Sequence, residues 1–569
     1  MAFLTGKLNI YRILWYGANL AALYLWIIPT ISGPIYTKCV RYHVCSRYLH
    51  SSGWPFYYLV DSADGQWRDI RGNLPLLWVC LIGISALHFI IRFYTKKDEC
   101  KVAAYKSSWF RLIVGVIFLF VLHRWHMYIV LVLALIAYQL AMFLNGCKYA
   151  SIYTWIFALS ILLLKECYRW QYTLNLTVIY WMFDKHQFGG LYAWQFPANF
   201  LVLRIISYSV DYHNAVRYHR GRETLAEGEG SSAPASAPAT PLRSEAAGGA
   251  GMDPDFHRPL DEYTNVIHFL SYVLYTPLYM AGPIMSYNSF IHYSHFPNAV
   301  QENVMLYGLR WILSFVLMEY LTANYPFFAV IQAGLLPYLR IEEVVVVAYM
   351  TLKVMWLKFL LIWRFFRLWA LADGCNPPEN MLKCMSNNCS LEDFWRNWHV
   401  SFNRWLVRYM YVPLGGRENR LGSIWLVFLF VAIWHDIEFK LIVWGLLNAS
   451  FYILEVTGKR FMSSDFVKKN LSANAIKFVG IFSAATYIIV LVLVNLLGYS
   501  LLGTDGTSLI LNKLLSRDGF RTMVVSYYFL LWGVNLMSYI SEVRAEREAG
   551  RDKKLTSDTP STNESPKSD

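Results

Sequence analysis

Long apolar runs recur along almost the whole chain, and they constrain its fold more than any other feature. The first run, Tyr11–Ile31, is too long and too aromatic for a cleaved signal peptide, so we interpret it as a membrane anchor. A helix that crosses a bilayer needs about 20 apolar residues, with a range of about 17 to 25. Several runs are shorter, so we expect about ten to twelve membrane helices, some of them re-entrant or half-length pieces protected by their neighbours. The other runs are Leu74–Phe93, Trp109–Leu122, Met127–Leu144, Ile152–Leu164, Phe196–Val210, Val266–Met285, Met305–Leu321, Val344–Phe366, Ile424–Trp434, Phe439–Leu454, Ala475–Leu502 and Met523–Ile540.

The composition excludes a soluble protein. Of the 569 residues, 56% are apolar and 16% are charged, whereas a soluble domain has about 25% charged residues. Lys and Arg exceed Asp and Glu by 51 − 38 = 13, but these basic residues lie at the ends of apolar runs. This is typical of loop charges that orient helices and contact anionic lipid head groups, and it argues against nucleic-acid binding. The sequence therefore predicts an all-α polytopic membrane protein.

Two polar segments divide the chain into four regions. Residues 1–220 contain the N-terminal membrane helices, and residues 221–258 form a Ser-, Ala-, Pro- and Gly-rich linker that is predicted to be disordered. Residues 259–541 form the second membrane region. In the polar tail, 542–569, we expect one or two charged helical turns followed by disorder. We find no internal repeat, which weakens the interpretation as a transporter built from duplicated halves.

The cysteines and the common catalytic motifs give no sign of a metal or cofactor. The nine cysteines are odd in number and form no paired CxxC, so neither a zinc site nor a disulfide framework is indicated. Cys39 and Cys45 could pair in an oxidising compartment or remain buried thiols, and we favour the thiols. A GxxxxGK[ST] phosphate loop, an HExxH pair and a GxSxG nucleophile turn are absent from the sequence. We therefore expect no metal site and no bound cofactor.

The most unusual part of the chain runs from Trp363 to Glu438, and it contains FWRNWHVSFNRWLVRYMYVPLGG at residues 394–416. At helical spacing, one face of this segment is aromatic and another is polar. The aromatic face consists of Phe394, Trp398, Phe402 and Trp405, and the polar face of Arg396, His399 and Asn403. An amphipathic helix rich in Trp and Arg is typical of a membrane interface. A plain interfacial anchor and a functional helix both remain open from this pattern.

His435 ends the apolar run LVFLFVAIW and is followed by Asp436 and Glu438. Ionisable side chains at membrane depth are costly and indicate function by default, although a helix end in the head groups would also fit. Imidazole can accept a proton at neutral pH, and a positioned general base supplies about 10²- to 10⁴-fold in rate. Because His399 and His435 each follow a Trp in neighbouring segments, we expect both at a proton-transfer site. The other histidines beside apolar runs are interpreted as helix-end or packing residues: His88, His123, His126 and His268.

These segments resemble a known family, the membrane-bound O-acyltransferases. WRNWHVSFNRWLVRYMYVPLGG, residues 395–416, is similar to the family's W-H-x-S block, and FVAIWHDIE, residues 430–438, to its signature histidine segment. Within the family, the closer resemblance is to the glycerol-uptake (Gup) branch, which is related to Hedgehog acyltransferase. The blocks similar to that branch lie roughly in the second half of the chain and are YTPLYMAGPIMSYNSF, RFFRLWALADGCNPPENM and FVAIWHDIEFKLIVWG.

The resemblance implies a bundle of about ten to twelve transmembrane helices with re-entrant pieces around a central tunnel, with residues 259–541 as the catalytic core. It makes His435 the signature histidine, and it places His399 at a second catalytic position where other branches have Asn or Asp. Long-chain acyl-CoA would then be the donor and would approach from the cytosolic face. A lipid hydroxyl would approach from the lumenal side, where His435 would act as general base. His399, with Asn403, would orient the acceptor or bind the oxyanion.

The same resemblance suggests the residues that bind substrate. Trp398, Ser401 and Asn403 belong to the W-H-x-S block and are expected to contact it. Four nearby arginines could bind the phosphates of CoA, or they could be ordinary positive loop charges. These arginines are Arg404, Arg408, Arg417 and Arg420.

For the acceptor, the Gup branch implies a lysophospholipid or a lyso-glycosylphosphatidylinositol (lyso-GPI) anchor. The acyl group would reach the sn-2 hydroxyl of lyso-phosphatidylinositol in the endoplasmic reticulum membrane, during remodelling of these anchors. Three alternatives stay open: a Hedgehog-type protein acyltransferase, a glycerol transporter, and an inactive scaffold that binds lipid or protein. The intact pair of His399 and His435 argues against the scaffold. The oligomeric state does not follow from the sequence.

Overall fold

The computed structural model describes residues 10–41, 43–51, 58–174, 194–227, 256–297, 302–499 and 503–557. Most of the predicted linker, residues 228–255, lies outside these ranges. So do residues 558–569, the end of the predicted polar tail.

Helices account for nearly all of the chain within these ranges, as the recurring apolar runs predict. The helices of the first half are α1 (Ile10–Ala21), α2 (Ile28–Tyr36), α3 (Gly65–Tyr94), α4 (Cys100–His123), α5 (Met127–Leu144), α6 (Ala150–Leu174) and α7 (Gln195–Glu227). Those of the second half are α8 (Leu260–Tyr263), α9 (Val266–Val273), α10 (Thr276–Tyr279), α11 (Tyr287–His295), α12 (Val304–Asn324), α13 (Phe327–Gln332), α14 (Ile341–Ala372), α15 (Leu391–Asn397), α16 (Val400–Leu406), α17 (Arg420–His435), α18 (Phe439–Met462), α19 (Asp465–Asn470), α20 (Ala473–Tyr499), α21 (Gly503–Leu514) and α22 (Arg517–Ser557). Short π-helical segments cover Ala22–Ile27, Thr37–Arg41 and Val407–Tyr411. The strands β1 (Leu49–Ser51) and β2 (Leu59–Asp61) form an antiparallel pair.

Within the described ranges, nine helical stretches are long and apolar enough to cross a membrane. One of them, Cys100–Leu144, consists of α4 and α5, which turn at Arg124–His126. Helix α17 is apolar but only 16 residues long, shorter than a spanning helix needs to be. Full spans and shorter buried pieces thus occur together, which confirms the all-α polytopic fold.

Helix α14 is the centre of the bundle. Its 32 residues extend for about 48 Å, and 67% of its most apolar stretch is buried, against 39% or less for the other candidate spans. It packs against α2, α3, α10 and α12. A helix that is apolar on nearly all sides is expected in such an interior position.

The two halves of the chain share one interior. Helix α7 packs against α5 and α6 and is buried along most of its length, and Trp405 of α16 donates a hydrogen bond from Nε1 to the carbonyl of Leu203 in α7 (3.2 Å). The helix also runs past the apolar stretch that predicted it and reaches Glu227, inside the predicted linker. Residues on either side of that linker therefore belong to a single packed structure.

A buried polar network joins α3, α4 and the end of α14. The carboxylate of Asp373 accepts from Nε of Arg111 (2.9 Å) and from the hydroxyl of Tyr275 (2.7 Å). Its second oxygen lies 2.5 Å from Nδ1 of His88. His88, interpreted from the sequence as a helix-end or packing residue, is thus a fully buried member of an ionic network. Such a network is costly to break because its remaining charges stay buried.

Two expectations about the ends of the chain were wrong. Cys39 and Cys45, for which we favoured free thiols, form a disulfide with their Cα atoms 4.9 Å apart. The turn after the π-helical segment brings them together, since the amide of Cys45 donates to the carbonyl of Cys39. In the tail, α22 continues to Ser557 instead of ending after one or two turns. Ala, Glu, Arg and Lys dominate this stretch, and all four favour helix.

Candidate active site

A cavity of about 1650 Å³ lies inside the bundle, and both His399 and His435 line it. Ligand pockets commonly have about 300–1,000 Å³, so this one has room for more than a single small substrate. Its walls come from α2 and the π-helical segment before it, from α14, from α15 to α18, and from α20 and α22. Most of the lining is apolar, which suits a long acyl chain.

His435 is held at the C-terminal end of α17 by a residue from the first half of the chain. The ring nitrogen of Trp434 donates to the carbonyl oxygen of Asn199 (2.8 Å), and Nδ2 of Asn199 donates to the carbonyl oxygen of His435 (3.3 Å). The rings of Trp434 and His435 lie 4.7 Å apart. Helix α7 therefore fixes the backbone from which the histidine projects into the cavity.

A buried lysine strengthens this arrangement. Nζ of Lys165 in α6 donates to Oδ1 of Asp436 (2.9 Å) and to Oδ1 of Asn199 (3.1 Å). Only 5% of the Lys165 side chain is exposed, so its charge requires these partners. Our reading of the sequence missed Lys165 and Asn199. The sequence signal that could have identified Lys165 is the Lys-Glu pair directly after the apolar run Ile152–Leu164.

His399 does not lie within one continuous amphipathic helix, and that expectation was wrong. Helix α15 ends at Asn397 and α16 begins at Val400, and His399 between them has a left-handed backbone with φ +48°. Met381 forms an isolated antiparallel bridge with Trp398, which draws the chain out of the helix here. A left-handed conformation is costly for a residue with a side chain and is often found at functional sites.

The side chain and backbone of Asn380 hold the break in place. Its carbonyl oxygen accepts from the amide of Val400 (3.1 Å), and its Oδ1 accepts from the amide of Ser401 (3.0 Å). Asn380 is fully buried. It belongs to the CNPPENM stretch, which gave sequence similarity without an evident role. In the structure, this stretch supports the backbone at His399.

The ring of His399 is enclosed by aromatic side chains, 4.3 Å from the centre of Trp363 and 5.2 Å from that of Phe402. His399 lies outside the nine candidate spans of the described chain. Burial, with a smaller contribution from His435, lowers the pKa of His399 to about 3. Its Nδ1 has no hydrogen-bond partner among the described residues. A neutral imidazole with an available nitrogen can orient a hydroxyl or bind an oxyanion.

The structure brings only some of the expected substrate-binding residues to the cavity. Trp398 and Asn403 line it, and Nδ2 of Asn403 donates to the carbonyl of Trp395 (3.1 Å). Ser401 is buried instead, and its hydroxyl accepts from the amide of Ile284 (2.8 Å). The expectation that Ser401 contacts substrate is therefore replaced by a structural role.

The predicted arginines separate into two groups. Arg417 and Arg420 line the cavity, but Arg404 is exposed outside its wall. Arg408 also lies outside, and its guanidinium pairs with Asp211 (2.9 Å). The sequence reading of Arg404 and Arg408 as phosphate ligands thus does not agree with the structure, because neither side chain lines the cavity.

The cavity has a cationic end that the sequence identified only in part. Besides Arg417 and Arg420, the cavity is lined by Arg396 and Arg460 at this end and by Arg521 near the start of α22. Arg396 and Arg420 share the carboxylate of Glu392, at 2.7 and 3.4 Å. Since four arginines share this end of the cavity, it retains positive charge that could bind phosphate. Arg420 begins α17 and His435 ends it, so this end lies about 22 Å along the helix from the histidine.

The chain matches a known protein family over the region that contains both histidines. Residues 255–497, which include both histidines, match MBOAT, the membrane-bound O-acyltransferase family. The membrane-bound O-acyltransferase GUP1 of Candida tropicalis is 32% identical over 519 residues, which cover 87% of this chain and 81% of that protein. This chain belongs to the membrane-bound O-acyltransferase family. It is a multi-pass membrane acyltransferase.

Other relatives show how far the similarity extends. The membrane-bound O-acyltransferase gup1 of Schizosaccharomyces pombe is 31% identical over 526 residues, covering 92% of this chain and 86% of that protein. The mouse protein-cysteine N-palmitoyltransferase HHAT is 27% identical over 215 residues, which cover 36% of this chain and 42% of that protein. Similarity to the Gup proteins thus extends through most of the chain, whereas this alignment with mouse HHAT covers about a third of it.

Proposed function

We propose that this acyltransferase moves a long-chain acyl group from acyl-CoA to the hydroxyl of a lysolipid. The observation that carries the proposal is the cavity shared by His399, His435 and the four arginines. Its apolar walls fit an acyl chain, its cationic end fits the phosphates of CoA, and its two imidazoles provide proton transfer. The reaction needs no covalent intermediate on the protein.

His435 acts as the general base. The imidazole takes the proton of the acceptor hydroxyl while the oxygen attacks the carbonyl carbon of the thioester. The tetrahedral oxyanion collapses, the carbon–sulfur bond breaks, and the CoA thiolate leaves with the proton that His435 returns. Lys165, Asn199 and Asp436 do not touch the reacting atoms; they fix the backbone beside His435.

His399 orients the acceptor hydroxyl or donates a hydrogen bond to the oxyanion. Its position supports this role, since it lines the same cavity and is close enough to His435 for their charges to interact. The enclosing rings of Trp363 and Phe402 exclude water and limit the motion of the imidazole. Preorganised donors in a dry site are worth more than the same donors in water.

For the acceptor, we propose the sn-2 hydroxyl of lyso-phosphatidylinositol in GPI anchors, within the endoplasmic reticulum membrane. This choice follows from the resemblance to the Gup branch, and similarity to the Gup proteins over most of the chain supports that branch. The test uses purified protein in lipid nanodiscs, with labelled long-chain acyl-CoA and lyso-phosphatidylinositol. We expect an alkali-labile labelled phospholipid from the wild type and none from folded His435→Ala. His399→Ala should retain more activity than His435→Ala, because His399 orients the acceptor hydroxyl and does not take its proton.

A second candidate is transfer to a protein, which the partial similarity to mouse HHAT favours. The chemistry at His435 would be the same, but the acceptor would be an N-terminal amine of a peptide. The nature of the product separates the two. An alkali-resistant, amide-linked acyl peptide would favour the protein acyltransferase, and an alkali-labile phospholipid would favour the lipid enzyme.

A further inference from the structure

A lysine lies far from both ends of the central helix α14 and lines the cavity. Lys353 is the thirteenth residue of a 32-residue helix, within the candidate span Ile341–Ala372. An ionisable side chain at membrane depth is costly and indicates a functional site by default. The general base and the arginine end of the cavity do not explain its presence.

Lys353 is surrounded by hydrogen-bonding groups. Nζ contacts the hydroxyl of Ser386 and lies 3.6 Å from Sγ of Cys384. The hydroxyl of Tyr349 lies 3.3 Å from that of Ser386 and 2.7 Å from that of Tyr24. Among the residues that the structure describes, no carboxylate lies within ion-pair distance of Lys353. A cation beside three hydroxyl groups can bind an anion.

Two other lysines in membrane helices differ from Lys353 because each has a carboxylate partner. Lys358, five residues along the same helix, pairs with Asp64 at 2.7 Å. Lys165 pairs with Asp436 at 2.9 Å. These two lysines are neutralised by the protein itself. Lys353 is therefore the member of this set for which a ligand would supply the missing negative charge.

The position of Lys353 indicates which substrate supplies that charge. Disulfides persist in oxidising compartments, so Cys39–Cys45 assigns this part of the chain to the oxidising side of the membrane. Lys38 pairs with Glu343 (3.5 Å), which brings the start of α14 to that side. Lys353 lies ten residues before Trp363, the ring beside His399, so it is about 15 Å nearer to the oxidising side.

The arginine end lies on the opposite side. Leu496, near the end of α20, packs in the same cluster as Cys39, so α20 ends at the oxidising side. Its start therefore lies at the other face, soon after α18 ends with Arg460 in its last turn. The phosphates of CoA and the ligand of Lys353 would thus occupy opposite ends of the cavity, with the histidines between them.

We propose that Lys353, with the hydroxyl groups of Tyr24, Tyr349 and Ser386, binds a phosphate of the acceptor head group. This inference rests on the proposed lipid acceptor and names the feature that the enzyme recognises in it. The anion lies on the oxidising side of the reacting hydroxyl, because the head group extends that way while the acyl-CoA occupies the other end. Phosphate on the acceptor thereby becomes a determinant of specificity.

The test compares two acceptors in nanodiscs, 1-oleoyl-lysophosphatidylinositol and 1-oleoylglycerol, which has a similar acyl chain and free hydroxyl groups but no phosphate. Lys353→Met should raise the KM for the anionic acceptor about 10- to 100-fold. The KM for acyl-CoA and the kcat/KM for 1-oleoylglycerol should not change, and Lys353→Arg should restore most of the loss. The control is Lys358→Met with Asp64→Asn, which removes a neutral pair from the same helix and should not change the preference between acceptors.

Several outcomes would overturn the site. An equal loss with both acceptors would mean that Lys353 only supports the fold, and a raised KM for acyl-CoA would assign the phosphate to the donor.

A second measurement separates this site from the proposed function. Labelled 1-oleoyl-lysophosphatidylinositol should bind to His435→Ala protein, and binding should weaken when Lys353→Met is added. If binding depends on Lys353 but the wild type shows no turnover, the proposed function fails and the site stands. If the wild type shows turnover and Lys353→Met does not change it, the proposed function stands and the site fails.

Discussion

Replacement of Asn380 by Ala should lower kcat without removing any group that touches substrate. Asn380 accepts hydrogen bonds from the amides of Val400 and Ser401, directly after the left-handed His399. The backbone acceptor for Val400 survives the substitution, but the side-chain acceptor for Ser401 is lost. We therefore expect the segment to relax and His399 to leave its position in the cavity wall for much of the time.

The structure gives the size of this effect. A buried amide that loses its partner costs about 1–3 kcal/mol, and a left-handed residue with a side chain costs a similar 1–3 kcal/mol. The lost hydrogen bond is therefore comparable with the strain that it helps to maintain. Because each 1.4 kcal/mol is a factor of ten, the competent population should fall by about 5- to 150-fold.

The assay is acyl transfer in nanodiscs, with acyl-CoA binding measured on the same preparation. Asn380→Ala should lower kcat more than it changes the affinity for acyl-CoA, because Arg417, Arg420 and Arg460 belong to other segments and only Arg396 of this group lies beside the loop. Asn380→Asp keeps the acceptor oxygen and should retain more activity. If folded Asn380→Ala protein has wild-type kcat, the backbone at His399 is held by other contacts and the reasoning is refuted.

Three further predictions concern charge. Arg417→Ala should raise the KM for acyl-CoA about 10- to 150-fold, since a charge-assisted hydrogen bond to phosphate is worth about 1.5–3 kcal/mol. Arg408→Ala should leave this KM unchanged, because Arg408 pairs with Asp211 outside the cavity. Asp373→Ala should lower the free energy of unfolding, followed by thermal denaturation in detergent, by about 3–5 kcal/mol, because it leaves a buried arginine without its carboxylate. Burial lowers the pKa of His399 to about 3 and that of His435 to about 4, so both imidazoles stay neutral. Activity should therefore be constant from about pH 8 to pH 6, the range over which an ordinary imidazole gains a proton.

Clear results would contradict each of these. Equal effects of Arg417→Ala and Arg408→Ala on the KM for acyl-CoA would remove the cationic end from donor binding. Unchanged denaturation of Asp373→Ala would show that the network contributes little to stability. A fall in activity centred near pH 6.5 would mean that an essential imidazole titrates at its ordinary value and is not held neutral.

Much of the site could be predicted from the sequence, because two of its features are local. His435 interrupts an apolar run, and His399 lies in a Trp- and Arg-rich segment, so both were visible without any knowledge of the fold. The helix break at His399 was not visible. It depends on Asn380 and Met381, which meet the segment only after the chain has folded. Helical periodicity alone predicted a continuous helix and was wrong.

The sequence by itself determined the bilayer as the environment, the helical class, and the histidines that carry the chemistry. These follow from hydropathy and from polar residues next to apolar runs, properties of neighbouring positions. Only the tertiary structure decided that Lys165 and Asn199 hold the loop at His435, that Cys39 and Cys45 pair, and which arginines face the cavity. The physical reason is that these depend on contacts between helices far apart in the chain, and hydropathy does not specify which helices pack together.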